Sequence, residues 1–158
     1  THVKTTKQTI TKYMATANKW KADNRERWRK MQNQWFKDYY LKNPHLLKWK
    51  SLLSNTLKRL GRDKDISSKT LLGYSAIELK EHLDNRGMNW NSDQVDHIIP
   101  LSWFKNNTPV YVVCDLRNLQ PLSPQDNLKK GNRFVINKNF SYINEVKHWI
   151  KEDRLNKL

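Results

Sequence analysis

The sequence predicts an α+β protein with a basic, helical N-terminal region, a strand–strand–helix module and a C-terminal helix. Apolar residues recur at helical spacing between Trp28 and Leu60. Two later apolar stretches, Gln94–Leu101 and Tyr111–Leu122, are typical of extended chain. Ser123-Pro124 then supplies an N-cap and a first helical residue directly after the second stretch.

Helical periodicity and capping residues define the helices of the first region. Trp28, Met31 and Trp35 lie on one face of a helix that ends at Asn43-Pro44. The next helix has Asn43 as its N-cap and stops at glycine, and its apolar stripe consists of Leu46, Trp49, Leu53, Leu57 and Leu60, followed by Gly61. We expect the tryptophans to pack helices together, the alternative being stacking on nucleic-acid bases.

Two further helices are predicted downstream. Ser75 and Glu78 have the spacing of a capping box, which begins a short helix. The last helix starts at about Ser141, and its apolar face consists of Ile143, Val146 and Ile150.

Positive charge is concentrated near the N-terminus. The 158-residue chain has 30 Lys and Arg, 15 Asp and Glu, and a formal net charge of +15. Residues 1–60 contain 15 basic residues against 3 acidic ones, whereas residues 61–158 contain 15 against 12. This imbalance favours a polyanionic partner, most simply nucleic acid. We therefore predict a basic, aromatic-rich helical DNA-binding region at 1–65 and a second domain at 66–158.

The composition excludes several other classes of protein. A single cysteine, Cys114, excludes an internal disulfide framework and a four-cysteine structural zinc site. No apolar run approaches the roughly 20 residues of a membrane span, and the chain does not begin with a signal peptide. We expect a cytoplasmic protein with neither a membrane partner nor a small-molecule cofactor.

The most informative motif is the adjacent pair Asp96 and His97 between apolar residues. Neighbours on a strand point to opposite faces, so the two side chains can address different partners. A carboxylate suits a hard cation such as Mg²⁺ or Mn²⁺, and a neutral imidazole is a good general base. In isolation, such a pair is more often an Asp at a turn beside a His packed on the core.

The pair is followed by Asn118 and then by Asn127. Lys130 lies three positions after Asn127 on the predicted helix. The stretch from Asp96 to Lys130 resembles the HNH endonucleases of the ββα-metal superfamily in the order and spacing of these residues. Upstream residues, including Leu72-Gly73-Tyr74-Ser75 and Gly87-Met88-Asn89-Trp90, are similar to phage members, so that the resemblance extends from about Leu71 to Arg133.

The resemblance implies a role for each residue. His97 would be the general base, and Asp96 and Asn127 would hold a single Mg²⁺ or Mn²⁺ ion. Asn118 would brace the loop between the strands and so orient His97. Asn127 stands where many members have His, which favours a hard metal ion. Three basic residues are candidate DNA contacts: Lys130, Arg117 and Arg133.

The sequence thus predicts a metal-dependent HNH endonuclease that hydrolyses double-stranded DNA to 5′-phosphate and 3′-hydroxyl ends. The nuclease domain would be residues 66–158, with a ββα core at about 94–132. A homing or nicking enzyme of phage origin, acting in the host cytoplasm, is the first expectation. Two alternatives stay open: a non-catalytic DNA-binding protein that uses the ββα unit as a scaffold, and a basic RNA-binding protein.

Overall fold

The computed structural model describes residues 2–134 and 140–157. In chain order the elements are α1 (His2–Asp23), α2 (Arg25–Lys42), α3 (Pro44–Leu60), α4 (Ser68–Leu72), α5 (Ala76–Asp84), β1 (Gln94–His97), α6 (Val110–Val113), β2 (Leu119–Leu122), α7 (Pro124–Lys130), α8 (Tyr142–Val146) and α9 (Glu152–Leu155). The described residues are mostly helical with one two-stranded antiparallel sheet. The predicted α+β class is confirmed. None of the described helices combines the length and apolar composition that a membrane crossing requires.

The chain divides into two compact units, Thr1–Lys42 and Asn43–Leu158. In the first unit, α2 has no buried residue in the described structure. Trp28 packs edge-on against Trp20, with ring centroids 6.3 Å apart. Trp35 is 55% exposed and stacks on Tyr39, so the packing expected of the tryptophans holds for Trp28 and not for Trp35.

Helix α3 belongs to the second unit, and its predicted boundaries are confirmed. Pro44 lies in its first turn, and Gly61 ends it in the left-handed conformation with φ of 65°. Its buried side consists of Leu52, Leu53, Thr56, Leu57 and Leu60. The charge pattern placed the domain boundary between residues 65 and 66, whereas packing divides the chain before α3 because this apolar side joins the core of the second unit.

The sheet and the helix after it form a continuous segment. Strand β1 pairs antiparallel with β2, so that Asp96 lies opposite Gln120 and His97 opposite Leu119. Helix α7 begins directly after β2, as predicted, with the Ser123 hydroxyl accepting a hydrogen bond from a first-turn amide and Pro124 at the start. The capping box at the start of α5 is also confirmed.

The two extended stretches are shorter than predicted. Within Gln94–Leu101, β1 ends at His97 and a 3₁₀ turn begins at Leu101. Within Tyr111–Leu122, the first half was predicted wrongly, because helix α6 and a 3₁₀ turn at Leu116–Asn118 precede β2. Pro109 starts α6, and a side-chain cap from Asp115 starts the 3₁₀ turn. Local capping therefore overrides the β propensity of the valines.

The C-terminal helix was also predicted too long. Helix α8 ends at Val146 and a 3₁₀ turn follows at Lys147–Trp149. Ile150 is extended and forms an isolated antiparallel bridge with Phe104. It is fully buried there, so its apolar character reflects packing across the chain and not a helical face.

Candidate functional site

A cleft of about 500 Å³ lies in the second unit between α3, β1 and α7. Its lining is mostly polar, and the side chains come from three separate parts of the sequence. Four residues singled out from the sequence line this cleft: Asp96, His97, Asn127 and Lys130.

The Asp96 carboxylate is held at one of its two oxygens. Its Oδ2 accepts a hydrogen bond of 2.9 Å from Nε2 of Gln120, the residue opposite it in the sheet. The same oxygen lies 3.0 Å from Nζ of Lys130. Within the described ranges, Oδ1 has no hydrogen-bond partner, so it is the oxygen that Asp96 can offer to a ligand.

The Asn127 side chain has a defined orientation at the end of the cleft. Its Nδ2 donates a 2.6 Å hydrogen bond to Oε1 of Gln94. Gln94 and Asp96 are two residues apart on β1, so their side chains share one face of the strand. The bond therefore holds Asn127 beside the face of Asp96, and among the described residues its Oδ1 has no partner.

The His97 ring contacts a buried pair of polar side chains, Cys114 and Thr56. Its Nε2 is 3.6 Å from Sγ of Cys114, which is 3.3 Å from Oγ1 of Thr56. Burial, together with the positive charges of Lys130 and Arg59, lowers the pKa of His97 to about 3. The imidazole is therefore neutral near pH 7. Its Nδ1 has no hydrogen-bond partner in the described part of the chain.

Asn118 lies behind the cleft and ties the segment after β1 to the end of α6. It is fully buried. Its Oδ1 accepts a 2.8 Å hydrogen bond from the amide of Ile99, and its Nδ2 donates one of 2.8 Å to the carbonyl of Val113. This is the geometry of a brace next to His97, and a catalytic consequence of that brace stays a prediction.

Lys130 lines the cleft with a side chain that is largely buried. Its side chain is 12% exposed, and its Nζ donates a 2.8 Å hydrogen bond to the carbonyl of His97 in addition to pairing with Asp96. The ammonium therefore neutralises the carboxylate and fixes its position. A DNA phosphate could contact Lys130 by approaching this same point.

The other two basic candidates are not brought to the cleft. Arg117 pairs with Asp115 and Glu145 and lies over the ring of Tyr142, and these bonds raise the pKa of its guanidinium. Arg133 donates hydrogen bonds to backbone carbonyls at the end of α7. Their predicted DNA contacts would have to lie outside the group formed by Asp96, His97 and Asn127.

The structure adds a set of residues that the sequence interpretation missed. The cleft wall opposite β1 is formed by the polar side of α3, through Lys48, Ser51, Asn55 and Arg59. The spacing of these residues was visible in the sequence, but the interpretation described the apolar stripe of the same helix. Only the position of β1 and α7 shows that the polar side faces the candidate site.

The donor atoms in the cleft fit a hard divalent cation. Asp96 Oδ1 and Asn127 Oδ1 are oxygens without protein partners in the described chain, the ligand type that Mg²⁺ and Mn²⁺ prefer. Within the described ranges, no three His, Cys, Asp or Glu side chains form a metal-binding group. A cation held here would thus have two protein ligands, consistent with the habit of Mg²⁺ of keeping several waters and binding substrate phosphate.

Comparisons of the chain with models of known protein families, with characterised proteins and with solved structures found no match.

Proposed function

We propose that the chain is a metal-dependent DNA endonuclease of the HNH (ββα-metal) type. The observation that carries the proposal is the convergence of Asp96, His97 and Asn127 on one polar cleft. Each of the three presents an atom without a protein partner in the described chain. The order of β1, β2 and α7, which places the three residues on the first strand and the helix, supports a ββα module.

The proposed reaction is hydrolysis of a phosphodiester bond. His97 accepts at Nδ1 a proton of the attacking water, whose oxygen bonds to phosphorus. The bond from phosphorus to the 3′ oxygen breaks, and that oxygen takes a proton from solvent, leaving 5′-phosphate and 3′-hydroxyl ends. Asp96 and Asn127 would hold one Mg²⁺ or Mn²⁺ ion, which supplies charge neutralisation at the phosphate and the leaving oxygen. An imidazole with a pKa of about 3 is a weak base. A DNA phosphate in the cleft raises that pKa because it is an adjacent negative charge.

Lys130 has a supporting role in this proposal. Because it binds Oδ2 of Asp96, it leaves Oδ1 directed elsewhere as the metal-binding oxygen. Its positive charge also opposes a nearby cation, and the negative charge of bound DNA offsets this repulsion. Metal and DNA should therefore bind cooperatively.

The alternative from another class is a DNA-binding protein without catalysis. The observation that favours it is the ion pair of Asp96 with Lys130, which satisfies the carboxylate without any metal ion. Under this alternative, replacing His97 changes neither DNA binding nor the integrity of the DNA.

A plasmid assay distinguishes the two functions. Supercoiled plasmid is incubated with wild type, with His97→Ala and with His148→Ala, each in EDTA, Mg²⁺ or Mn²⁺. His148 is exposed and outside the cleft, so its variant is the matched control. We expect wild type and the control to convert the plasmid in the presence of metal, and His97→Ala to leave it supercoiled. Plasmid that is retarded on a gel but never cut supports the binding-only alternative.

The form of the product tests the finer proposal of a nicking or homing enzyme. One active site cuts one strand at a time. Accumulation of open-circle plasmid therefore indicates a nicking enzyme, whereas linear product indicates paired action on both strands. Competition by structured RNA against duplex DNA tests the RNA-binding alternative, which predicts that RNA is the preferred ligand.

A further inference from the structure

The polar side of α3, which we call the α3 polar face, consists of Lys48, Ser51, Asn55 and Arg59. All four line the same cleft as Asp96 and His97. Steps of three and four residues place them on one side of the helix. Leu53 and Leu57 are buried in the core, which fixes the rotation of α3 and directs the polar face into the cleft.

Three of the four side chains have unused hydrogen-bonding capacity. Ser51, Asn55 and Arg59 are exposed, and in the described chain they have no hydrogen bond or ion pair within the protein. Lys48 is partly buried and donates a 2.6 Å hydrogen bond to the carbonyl of Asp93, next to β1. The wall thus offers two cations and two neutral polar groups to a ligand in the cleft.

The chemistry and length of the face fit a nucleic-acid backbone. The 11 helical steps from Lys48 to Arg59 span about 16 Å at 1.5 Å per residue. One DNA strand rises about 3.4 Å per nucleotide along the duplex axis and advances further than that along its own backbone, so this length covers fewer than about five nucleotides. Arg, Lys, Ser and Asn are the side chains that commonly contact phosphate oxygens. A phosphate path along α3 would run through the cleft that His97 lines, and Arg59 is close enough to His97 to lower its pKa.

Further polar and basic residues lie next to Arg59, in a second cleft. A second, smaller cleft shares Arg59, Leu101 and Asn132 with the first and adds Lys151. The Lys151 ammonium donates a 3.0 Å hydrogen bond to the carbonyl of Ser102, which holds it at this cleft. Positive groups therefore line both the cleft that contains the candidate catalytic residues and the cleft next to it.

We propose that the α3 polar face binds the phosphates flanking the scissile bond, with Arg59 making a direct phosphate contact. The inference rests on the proposed function in taking DNA as the ligand. Residues 1–65 were predicted to bind DNA as a region, and this inference assigns to one face of α3 within that region the task of holding the strand that His97 acts on.

The test compares two adjacent cations of α3. Arg59→Ala removes a charge from the cleft, whereas Lys58→Ala removes one from a neighbouring exposed position that does not line it. Binding of a labelled duplex is measured in EDTA, where no cutting occurs, over a series of salt concentrations. We expect Arg59→Ala to weaken binding roughly three- to tenfold and to reduce the log–log salt slope by about 0.9, while Lys58→Ala changes binding less than about twofold.

The outcomes separate this inference from the proposed function. Equal effects of the two substitutions overturn the α3 polar face as a phosphate site, whether or not the protein cuts DNA. A selective loss in Arg59→Ala supports it even in a protein that never cuts. Arg59→Lys retains the charge and should recover most of the binding, and thermal unfolding of each variant excludes loss of folding as the cause. Selective loss of binding to RNA alone, with duplex DNA unaffected, overturns the assignment to DNA.

Discussion

At the scale of the single residue, Cys114 lies against His97 in the candidate site. It is fully buried, and burial raises the pKa of its thiol to about 12, so the thiol stays protonated near pH 7. A thiol is both a weak donor and a weak acceptor. If the S–H is donated to Thr56, Sγ accepts the Nε2–H of His97. This tautomer leaves Nδ1 of His97 free to take a proton in the cleft.

Replacing Cys114 should therefore affect catalysis more than binding. Cys114→Ala removes the acceptor for the imidazole N–H, and we expect the cleavage rate to fall roughly three- to tenfold, the value of a neutral hydrogen bond. DNA affinity in EDTA should not change. Cys114→Ser, which restores a donor and an acceptor, is the control and should cut faster than Cys114→Ala. Equal rates for the two variants would contradict the role of the thiol, and nitrogen NMR of His97 reports the tautomer directly.

The lowered pKa of His97 predicts a pH dependence of folding. The unfolded imidazole titrates near 6.5, whereas the folded one titrates near 3. Below pH 6.5 the unfolded state binds a proton that the folded state does not, so His97 makes the free energy of unfolding fall as the pH falls from about 6.5 to 3. His97→Gln should show a shallower loss of stability over this range in urea unfolding with EDTA present. Parallel pH profiles for the two proteins would mean that His97 is not desolvated.

At the scale of the element, Asn118 controls the connection between β1 and β2. Its amide satisfies the buried N–H of Ile99 and the carbonyl of Val113, two groups from segments 14 residues apart. We expect Asn118→Ala to lower the free energy of unfolding by about 3 kcal/mol, because it leaves both groups without partners. Asn107→Ala, at an exposed position without such bonds, is the matched control for urea unfolding. A loss below about 1 kcal/mol would indicate that water replaces the amide.

The elements that were predicted well are those determined by local chemistry. The boundaries of α3 follow from Pro44 and Gly61, and the start of α5 follows from a capping box, all within a few residues. The residues Val110–Asn118 were not predictable in this way, because their valines favour strand while Pro109 and Asp115 begin helical turns. Ile150 belongs to a bridge with Phe104, which no helical periodicity can show.

The residues of the candidate site also separate into those that the sequence indicates and those that only tertiary packing shows. Asp96, His97 and Asn127 were singled out through the resemblance to HNH endonucleases, which rests on their order and spacing, and the structure places all three at one cleft. The α3 polar face was not found, because a polar stripe on an amphipathic helix is ordinarily a solvated surface. This face is recognised as part of a site only because α3, β1 and α7 line one cleft, and that arrangement is a property of tertiary packing.

At the scale of the whole molecule, positive charge and buried core are distributed differently. Residues 1–42 contain 11 of the 30 Lys and Arg and 3 Asp and Glu. The described core cluster and the candidate cleft both lie in residues 43–158. The first unit therefore has the higher density of positive charge and many exposed aromatic rings, and the second contains the buried core and the candidate cleft.

This division predicts that removing the first unit lowers DNA affinity without abolishing DNA cutting. A chain beginning at Asn43 should retain cooperative unfolding because it contains the described core, and it should retain metal-dependent cutting because it contains Asp96, His97 and Asn127. Its DNA affinity should be lower and its salt slope smaller, by about 0.9 for each phosphate that the shortened chain no longer neutralises. Saturating DNA should restore the full-length rate, so the deletion should raise KM and leave kcat nearly unchanged.

A full-length variant tests the charges without deleting the helices. Arg25, Arg27 and Arg29 are changed together to Gln, which removes three charges from α2 and leaves the core of the second unit intact. We expect a rise in KM and a smaller salt slope in this variant too, with kcat preserved. If both the shortened chain and the triple variant keep the wild-type salt slope, DNA binding resides in the second unit. The cations lining its cleft, above all Arg59, would then account for the affinity.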